Sequence, residues 1–172
     1  ESPDDAIITL CDYISLQTQM NVPYVRYPKS LKLNHDLAVK NHNVIIDEEK
    51  KKKFQEFVST DDYKDAEWNN DKYAIIAPTE ARDLVKEGCT LNHCVKSYVD
   101  RLCDRETKIY FLRKVKEADK PYITVEVATS GVVVQARGFG DRWVNKEEAE
   151  TLIQWGKHKH INTSLLNSRN AA

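Results

Sequence analysis

The chain has 172 residues, of which 41% are hydrophobic and 31% are charged, and its formal net charge is −1. This composition is typical of a globular domain and excludes a disordered chain. The near-zero net charge excludes a general nucleic-acid coat, so nucleic-acid binding would need a local basic patch. No apolar run approaches the roughly 20 residues that span a bilayer, and the first residues show no signal-peptide pattern. We therefore expect a cytoplasmic protein with no membrane partner.

The first part of the chain, residues 1–70, is predicted to be mainly helical. Apolar residues recur at helical spacing over residues 3–20, where Ser2 can cap the helix and Pro3 suits its first position. Two more helices are predicted, over residues 30–40 and 47–58. The polar residues 61–71 are predicted to form a loop.

The second part, residues 71–161, is predicted to form an α+β core, followed by a tail without pattern, residues 162–172. Runs of apolar and β-branched residues predict four strand-like segments, over residues 73–77, 108–115, 122–129 and 132–138. The predicted fold class is α+β: a small antiparallel sheet of three to four strands packed by helices, with a helical N-terminal subdomain.

Three helices are predicted within this core. Thr79 can cap a short helix that runs through Val85, and Gly88 can end it. The next helix has an apolar stripe at i, i+3, i+4 and i+7, formed by Val95, Tyr98, Val99 and Leu102. Asn145 and Glu148 form a capping-box pair for the last helix.

The segment Ser130-Gly131 indicates a two-residue hairpin turn between two strands. Such a turn predicts three cross-strand pairs, which are Thr129 with Val132, Glu126 with Gln135, and Thr124 with Arg137. One face of the hairpin is then apolar and consists of Val125, Val127, Val134 and Ala136. The other face is polar, and on it Glu126 lies near enough to Arg137 to pair. The face that Arg113 joins on the preceding strand is left open.

The polar face has two interpretations. An antiparallel sheet commonly has one wet face, and Thr, Glu, Gln and Arg are ordinary there. A guanidinium is also the side chain best suited to recognise phosphate or carboxylate, because its fork is planar and permanently charged. The combination of Glu126, Gln135 and Arg137 on one face therefore marks a candidate binding site.

A second candidate lies in the segment 88–98, which we interpret as a loop that leads into a helix. His93 and Cys94 would stand where that helix begins, where the dipole disfavours an imidazolium and stabilises a thiolate. His93 is then a candidate acid or base, with a capping histidine as the alternative. Cys94 is a candidate nucleophile, with a small buried residue as the alternative.

Metal and aromatic residues give weaker indications. A zinc site can be drawn from Cys89, His93, Cys94 and Cys103, but it lacks the paired Cys-x-x-Cys spacing of structural sites. We therefore predict no metal ligands and no cofactor, while a divalent metal is left open. The three tryptophans, Trp68, Trp143 and Trp155, are predicted to anchor the core.

Several of these residues fall at matched intervals, which are His93-Cys94-Val95, Tyr98, Ile109 with Arg113, Pro121 with Thr124 and Glu126, and Gln135-Ala136-Arg137-Gly138. With these intervals the chain resembles the PcfJ-like family, whose members are encoded on conjugative plasmids, phages and related mobile elements. The resemblance extends from Tyr27-Pro28-Lys29-Ser30-Leu31, with His35-Asp36, to Trp155. Where members often have an Asn after the last motif, this chain has Gly140-Asp141-Arg142, which puts a role for that position in doubt.

The resemblance implies a mobile-element setting rather than a reaction. Our leading hypothesis is a pocket that binds a phosphate-containing substrate such as nucleic acid or a nucleotide. Its further part is hydrolysis of that substrate, as by a nuclease or phosphodiesterase. In this hypothesis His93, Glu126 and Tyr98 are catalytic, Cys94 is an alternative nucleophile, and the substrate is held by Arg113, Thr124, Gln135 and Arg137. The alternative is a non-catalytic module that binds nucleic acid or other proteins and domains of the same mobile element.

Overall fold

A computed structural model describes residues 2–92 and 96–169 of the chain. Its first third is helical, as predicted, with α1 (Pro3–Gln19), α2 (Leu31–Ile46) and α3 (Glu48–Val58). Helix α1 begins with the expected cap, because the Ser2 hydroxyl accepts a hydrogen bond from the Asp5 N–H and the Asp5 carboxylate accepts one from the Ser2 N–H. The predicted loop over residues 61–71 is wrong, since it contains a helix and a strand, α4 (Asp61–Lys64) and β1 (Trp68–Asn69).

The sheet has five antiparallel strands in the order β1-β2-β3-β4-β5. The four that follow β1 are β2 (Tyr73–Ile76), β3 (Thr107–Lys114), β4 (Ile123–Ala128) and β5 (Val133–Arg137). The predicted α+β class is therefore confirmed, with one strand more than expected. The extra strand is β1, which is two residues long and too short to leave an alternating pattern in the sequence.

The remaining helices are α5 (Ala81–Leu91), α6 (Lys96–Cys103), α7 (Lys146–Lys159) and α8 (Ser164–Arg169). Helix α7 has the predicted capping box of Asn145 and Glu148. Residues 164–169, within the predicted tail, form α8. No helix of the described residues is long and apolar enough to cross a membrane.

Helix α5 differs from the prediction at both ends. Thr79 is not its N-cap, because its hydroxyl and N–H both donate to Asp83 and the helix begins two residues later. Gly88 does not end it either and lies buried inside it. The helix ends at Leu91, after which Asn92 takes a left-handed conformation (φ 60°) and its N–H donates to the Gly88 carbonyl. Residues 88–91 are thus helical rather than a loop.

The hairpin of β4 and β5 keeps the predicted pairs except next to the turn. Thr124 faces Arg137 and Glu126 faces Gln135, but a bulge follows and Val127 faces Val133. The Ala128 N–H donates to Val132 and the Gly131 N–H donates to Ala128, so the predicted pair of Thr129 with Val132 is wrong. Val133, rather than Val134, is therefore the residue buried on the apolar face.

The two faces of the sheet have different covers. Helix α7 packs on the apolar face, where the fully buried Trp155 contacts the Tyr110 ring edge-on, with 5.5 Å between centroids. Helices α5 and α6 cover the polar face, and α2 and α3 pack behind them. Of the predicted tryptophan anchors, Trp155 is buried and Trp68 is half-buried, but Trp143 is exposed, so the prediction for Trp143 is wrong.

Candidate functional site

The register between strands places Arg113 on the polar face. Phe111 faces Thr124 across β3 and β4, and Arg113 follows two residues later, on the same side of its strand. Arg113 therefore shares one face with Thr124, Glu126, Gln135 and Arg137, and the question that the sequence left open is answered. The structure thus gathers five of the predicted site residues on one surface, which helices α5 and α6 cover.

Glu126 lies at the centre of a buried hydrogen-bond network. Its side chain is 2% exposed, and its oxygens accept hydrogen bonds from Gln135 Nε2 at 2.8 Å and Thr107 Oγ1 at 3.1 Å. Its ion-pair partner is Arg101 of α6, with 2.8 Å between Arg101 Nη1 and Glu126 Oε1. The expected pairing of Glu126 with Arg137 is therefore wrong, because Arg101 takes that position.

Tyr98 connects α6 to this network. Its hydroxyl accepts a hydrogen bond of 3.0 Å from Gln135 Nε2, and the Arg101 guanidinium lies over its ring, 5.7 Å from the centroid. Burial, followed by the Glu126 carboxylate, raises the pKa of Tyr98 to about 12. The phenol therefore keeps its proton at neutral pH and can act as a hydrogen-bond donor there.

Arg113 belongs to a second buried cluster, which contains a residue that the sequence analysis missed. Its guanidinium binds the Glu87 carboxylate of α5 through two hydrogen bonds, of 2.9 and 2.5 Å. Thr124 Oγ1 adds a bond of 3.3 Å to Glu87. Glu87 could have been found from its position, because it interrupts the apolar stripe of α5 formed by Leu84, Gly88 and Leu91.

Arg137 lies at the open end of the polar face and is half-buried. Its Nη1 donates to the Asp141 carbonyl at 3.0 Å, and its guanidinium stacks on the Trp143 ring, 3.2 Å from the centroid. Within residues 2–92 and 96–169, no carboxylate lies within ion-pair distance of it. Of the two predicted binding arginines, Arg113 has a carboxylate partner, whereas Arg137 has none among the described residues.

His93 and Cys94 lie outside the described residues, so their predicted roles remain predictions. The described chain resumes at Lys96, and Tyr98 belongs to the first turn of α6. Two further members of the zinc set have other partners: Cys89 Sγ contacts Gln17 and Asn41, and Cys103 Sγ donates to the Lys50 carbonyl. The described residues contain no cluster of His, Cys, Asp or Glu that could hold a metal ion.

A third buried carboxylate, Glu148, holds the connection between β5 and α7. Arg142 donates two hydrogen bonds of 2.9 Å to it, and the Tyr122 hydroxyl donates another. Although burial raises the pKa of Glu148, these hydrogen bonds bring it below its usual value. The sequence pointed to Glu148 only as a helix cap, whereas the structure makes it the support of the loop that carries Trp143.

Comparison with known proteins gives a family but no activity. The family described as PcfJ-like protein matches residues 9–160. An uncharacterized protein of Listeria innocua serovar 6a, Lin1253/Lin1744, is 30% identical over 166 residues, which are 90% of this chain and 35% of the relative. The chain therefore spans about a third of the length of that curated relative. No solved structure matches this chain. Because the match covers most of the chain, the protein belongs to the PcfJ-like family.

Proposed function

We propose that this domain binds phosphate-bearing ligands, nucleic acid or nucleotides, at the end of the polar face where Arg137 lies. One observation carries the proposal: Arg113 and Arg101 are each paired with a buried glutamate, while Arg137 has no carboxylate partner among the described residues. A guanidinium without an internal counter-charge is available to pair with a ligand phosphate.

The neighbours of Arg137 suit a ligand of this kind. Tyr98 and Gln135 form a hydrogen-bonded pair beside it. Burial raises the pKa of the Tyr98 phenol, and the Arg137 charge acts on the same phenol and lowers it. Thr124 faces Arg137 directly across the hairpin. The Tyr98 hydroxyl would donate to the phosphate ester, with Arg137 as the charged contact, while Gln135 and Thr124 hold their neighbours in place. The mobile-element setting that the family resemblance implies favours nucleic acid or nucleotides as its source.

Hydrolysis is the further part of this proposal and depends on His93. Glu126 is a weak candidate for the base, because Gln135 and Thr107 donate hydrogen bonds to its oxygens and Arg101 forms an ion pair with it. In this proposal the proton acceptor comes from the segment 88–98, where His93 is the candidate. Glu126 would then orient Gln135 and Arg101 rather than move a proton.

The binding experiment uses fluorescein-labelled single-stranded DNA, single-stranded RNA and duplex DNA, with ATP as competitor, and measures anisotropy at several salt concentrations. We expect the wild-type chain to bind, and Arg137→Gln to weaken binding about tenfold by removing one charge-assisted contact. The slope of log affinity against log salt should fall by about 0.7 for the single strands.

Arg82→Gln is the matched control. Arg82 is exposed in the first turn of α5, about 15 Å along the helix axis from Asn92, which caps the other end of the helix. Its substitution should leave affinity unchanged. Equal losses in both variants would indicate unspecific charge attraction, and no binding by the wild type to any probe would overturn the proposal.

The alternative is a module without catalysis, and the observation that favours it is that Glu126 already has two hydrogen-bond donors and an ion-pair partner inside the fold. The two are separated by incubating the same probes with the chain, with and without Mg²⁺ or Mn²⁺, and resolving the products. Cleavage that His93→Ala abolishes, while anisotropy still reports binding, supports hydrolysis. Intact probes under all conditions, despite binding, support the module.

A further inference from the structure

The connection between β5 and α7 exposes two aromatic side chains beside Arg137. We call residues 138–143 the aromatic turn. Phe139 is 66% exposed and Trp143 is 43% exposed. Large aromatic side chains usually lie inside a folded domain, so two of them within five residues on the surface suggest a contact with a ligand.

The aromatic turn is held in place from below. Arg137 and Trp143 form an antiparallel bridge, and the Gly138 N–H donates to the Arg142 carbonyl at 2.9 Å. The Arg142 side chain is fixed by its two hydrogen bonds to the buried Glu148. A side chain at Gly138 would collide with it, since a Cβ there would lie 2.8 Å from Arg142 Nε. The base of the turn is therefore closed, and its two aromatic side chains are presented outward.

Backbone conformation contributes to the same presentation. Gly140 and Asp141 both have left-handed φ values of 61°, which turn the chain sharply between Phe139 and Trp143. A residue other than glycine is uncommon in this region, and Asp is one of the few that tolerate it. The shape of the turn is thus specified by its own sequence.

The chemistry of this surface fits unpaired bases. The Arg137 guanidinium lies over the Trp143 ring, while part of the indole and most of Phe139 remain accessible. Flat aromatic surfaces bind the faces of bases, and an adjacent arginine binds the backbone phosphates between them. In a duplex those faces are covered by neighbouring base pairs, so stacking of this kind requires a single strand.

From this arrangement we infer that the ligand is single-stranded nucleic acid, whose bases stack on Phe139 and Trp143 while a phosphate binds Arg137. The inference rests on the proposed function and adds the structural class of the ligand. It assigns to the aromatic turn a binding role that none of the sequence motifs indicated.

The test compares a single-stranded oligonucleotide with an abasic oligonucleotide of equal length, so that phosphate charge is constant and only the bases differ. We expect the wild type to bind the base-bearing strand about tenfold more tightly or better. Phe139→Ser should remove most of this preference and leave binding of the abasic strand unchanged. Tyr27→Ser is the control, because Tyr27 is 86% exposed in the N-terminal region, away from the turn in sequence.

The outcomes distinguish the two proposals. Equal affinity for both strands would overturn the stacking inference while the phosphate site of Arg137 stands. Equal affinity for single-stranded and duplex DNA would overturn it as well. Binding of neither strand would overturn both proposals. If Phe139→Ser lowers affinity no more than Tyr27→Ser does, the bases stack elsewhere and the inference is wrong. Circular dichroism of each variant checks that the fold is retained.

Discussion

Arg113 and Arg137 project from the same face of one sheet but have different surroundings. Arg113 is buried and meets the Glu87 carboxylate through two hydrogen bonds. Arg137 lies at the edge, over the Trp143 ring, and donates a hydrogen bond to the backbone carbonyl of Asp141. The difference shows that an arginine on a polar strand face does not by itself indicate a ligand site, because its role depends on the groups packed against it. Burial with a counter-charge indicates a structural role, and an unpaired position at the rim indicates an available charge.

The largest effect on stability is expected at Glu87. The substitution Glu87→Leu leaves the Arg113 guanidinium buried and without its counter-charge, and we expect it to lower the free energy of unfolding by about 3–5 kcal/mol. Urea denaturation measures the loss. The double variant Glu87→Leu/Arg113→Met should recover most of it, since apolar residues of similar volume commonly replace a buried ion pair without loss. A single variant that costs less than about 1 kcal/mol would show that Arg113 does not depend on the pair.

The Glu126 network should give a smaller effect. Glu126→Gln replaces a charged acceptor that serves Gln135, Thr107 and Arg101, so we expect a loss of about 2 kcal/mol in the free energy of unfolding. Glu150→Gln on the exposed side of α7 is the control and should change stability by about 0.5 kcal/mol or less. Equal effects of the two substitutions would contradict a structural role for the network.

Alkaline pH tests the burial of Tyr98. An unfolded tyrosine titrates near pH 10, whereas the folded phenol has a pKa of about 12. The stability that depends on the protonated phenol is thus complete below pH 10 and is lost as the pH rises toward 12. Between these values we expect the wild type to lose about 1–2 kcal/mol more than Tyr98→Phe does. Urea titrations of both proteins across this range measure the difference, and parallel losses would show that Tyr98 is not the group responsible.

The smallest effect on stability is expected at Arg137. Arg137→Gln removes one stacking contact and one hydrogen bond at a half-buried position, so the free energy of unfolding should fall by about 1 kcal/mol or less. Urea denaturation measures this loss, and the loss measured for Glu87→Leu is the value to which it is compared. A loss as large as that of Glu87→Leu would make Arg137 structural and would count against the proposed phosphate contact.

Much of the fold follows from local patterns in the sequence. The caps at Ser2 and Asn145 predicted two helices correctly, because a capping side chain and helical spacing of apolar residues act within a few residues. The pairs Thr124 with Arg137 and Glu126 with Gln135 followed from strand alternation. Local signals were insufficient at Gly88, which the sequence suggests as a terminator, because the apolar stripe of α5 continues to Leu91 and packing decides the end.

The candidate site was predicted in its members but not in its connections. Alternation on β4 and β5 gathered the polar residues correctly, yet their partners come from helices distant in the sequence. The strand residues that pair with Arg101 and Glu87 depend on how α6 and α5 pack on the sheet. Those tertiary contacts cannot be read from local sequence patterns. The exposed position of Trp143 was missed for a related reason, because its surroundings depend on the anchoring of Arg142 by Glu148.

The bulge after Glu126 limits how the length of this hairpin can change. A three-residue connection and one additional residue on β5 together return Gln135 to the side of Glu126. Removing Val134, the additional residue, would make Gln135 follow Val133 in ordinary alternation, so Gln135 would still face Glu126. Removing a second residue from β5 would move Gln135 to the opposite side of the sheet. We therefore expect the hairpin to tolerate deletion of Val134 better than deletion of two residues from β5.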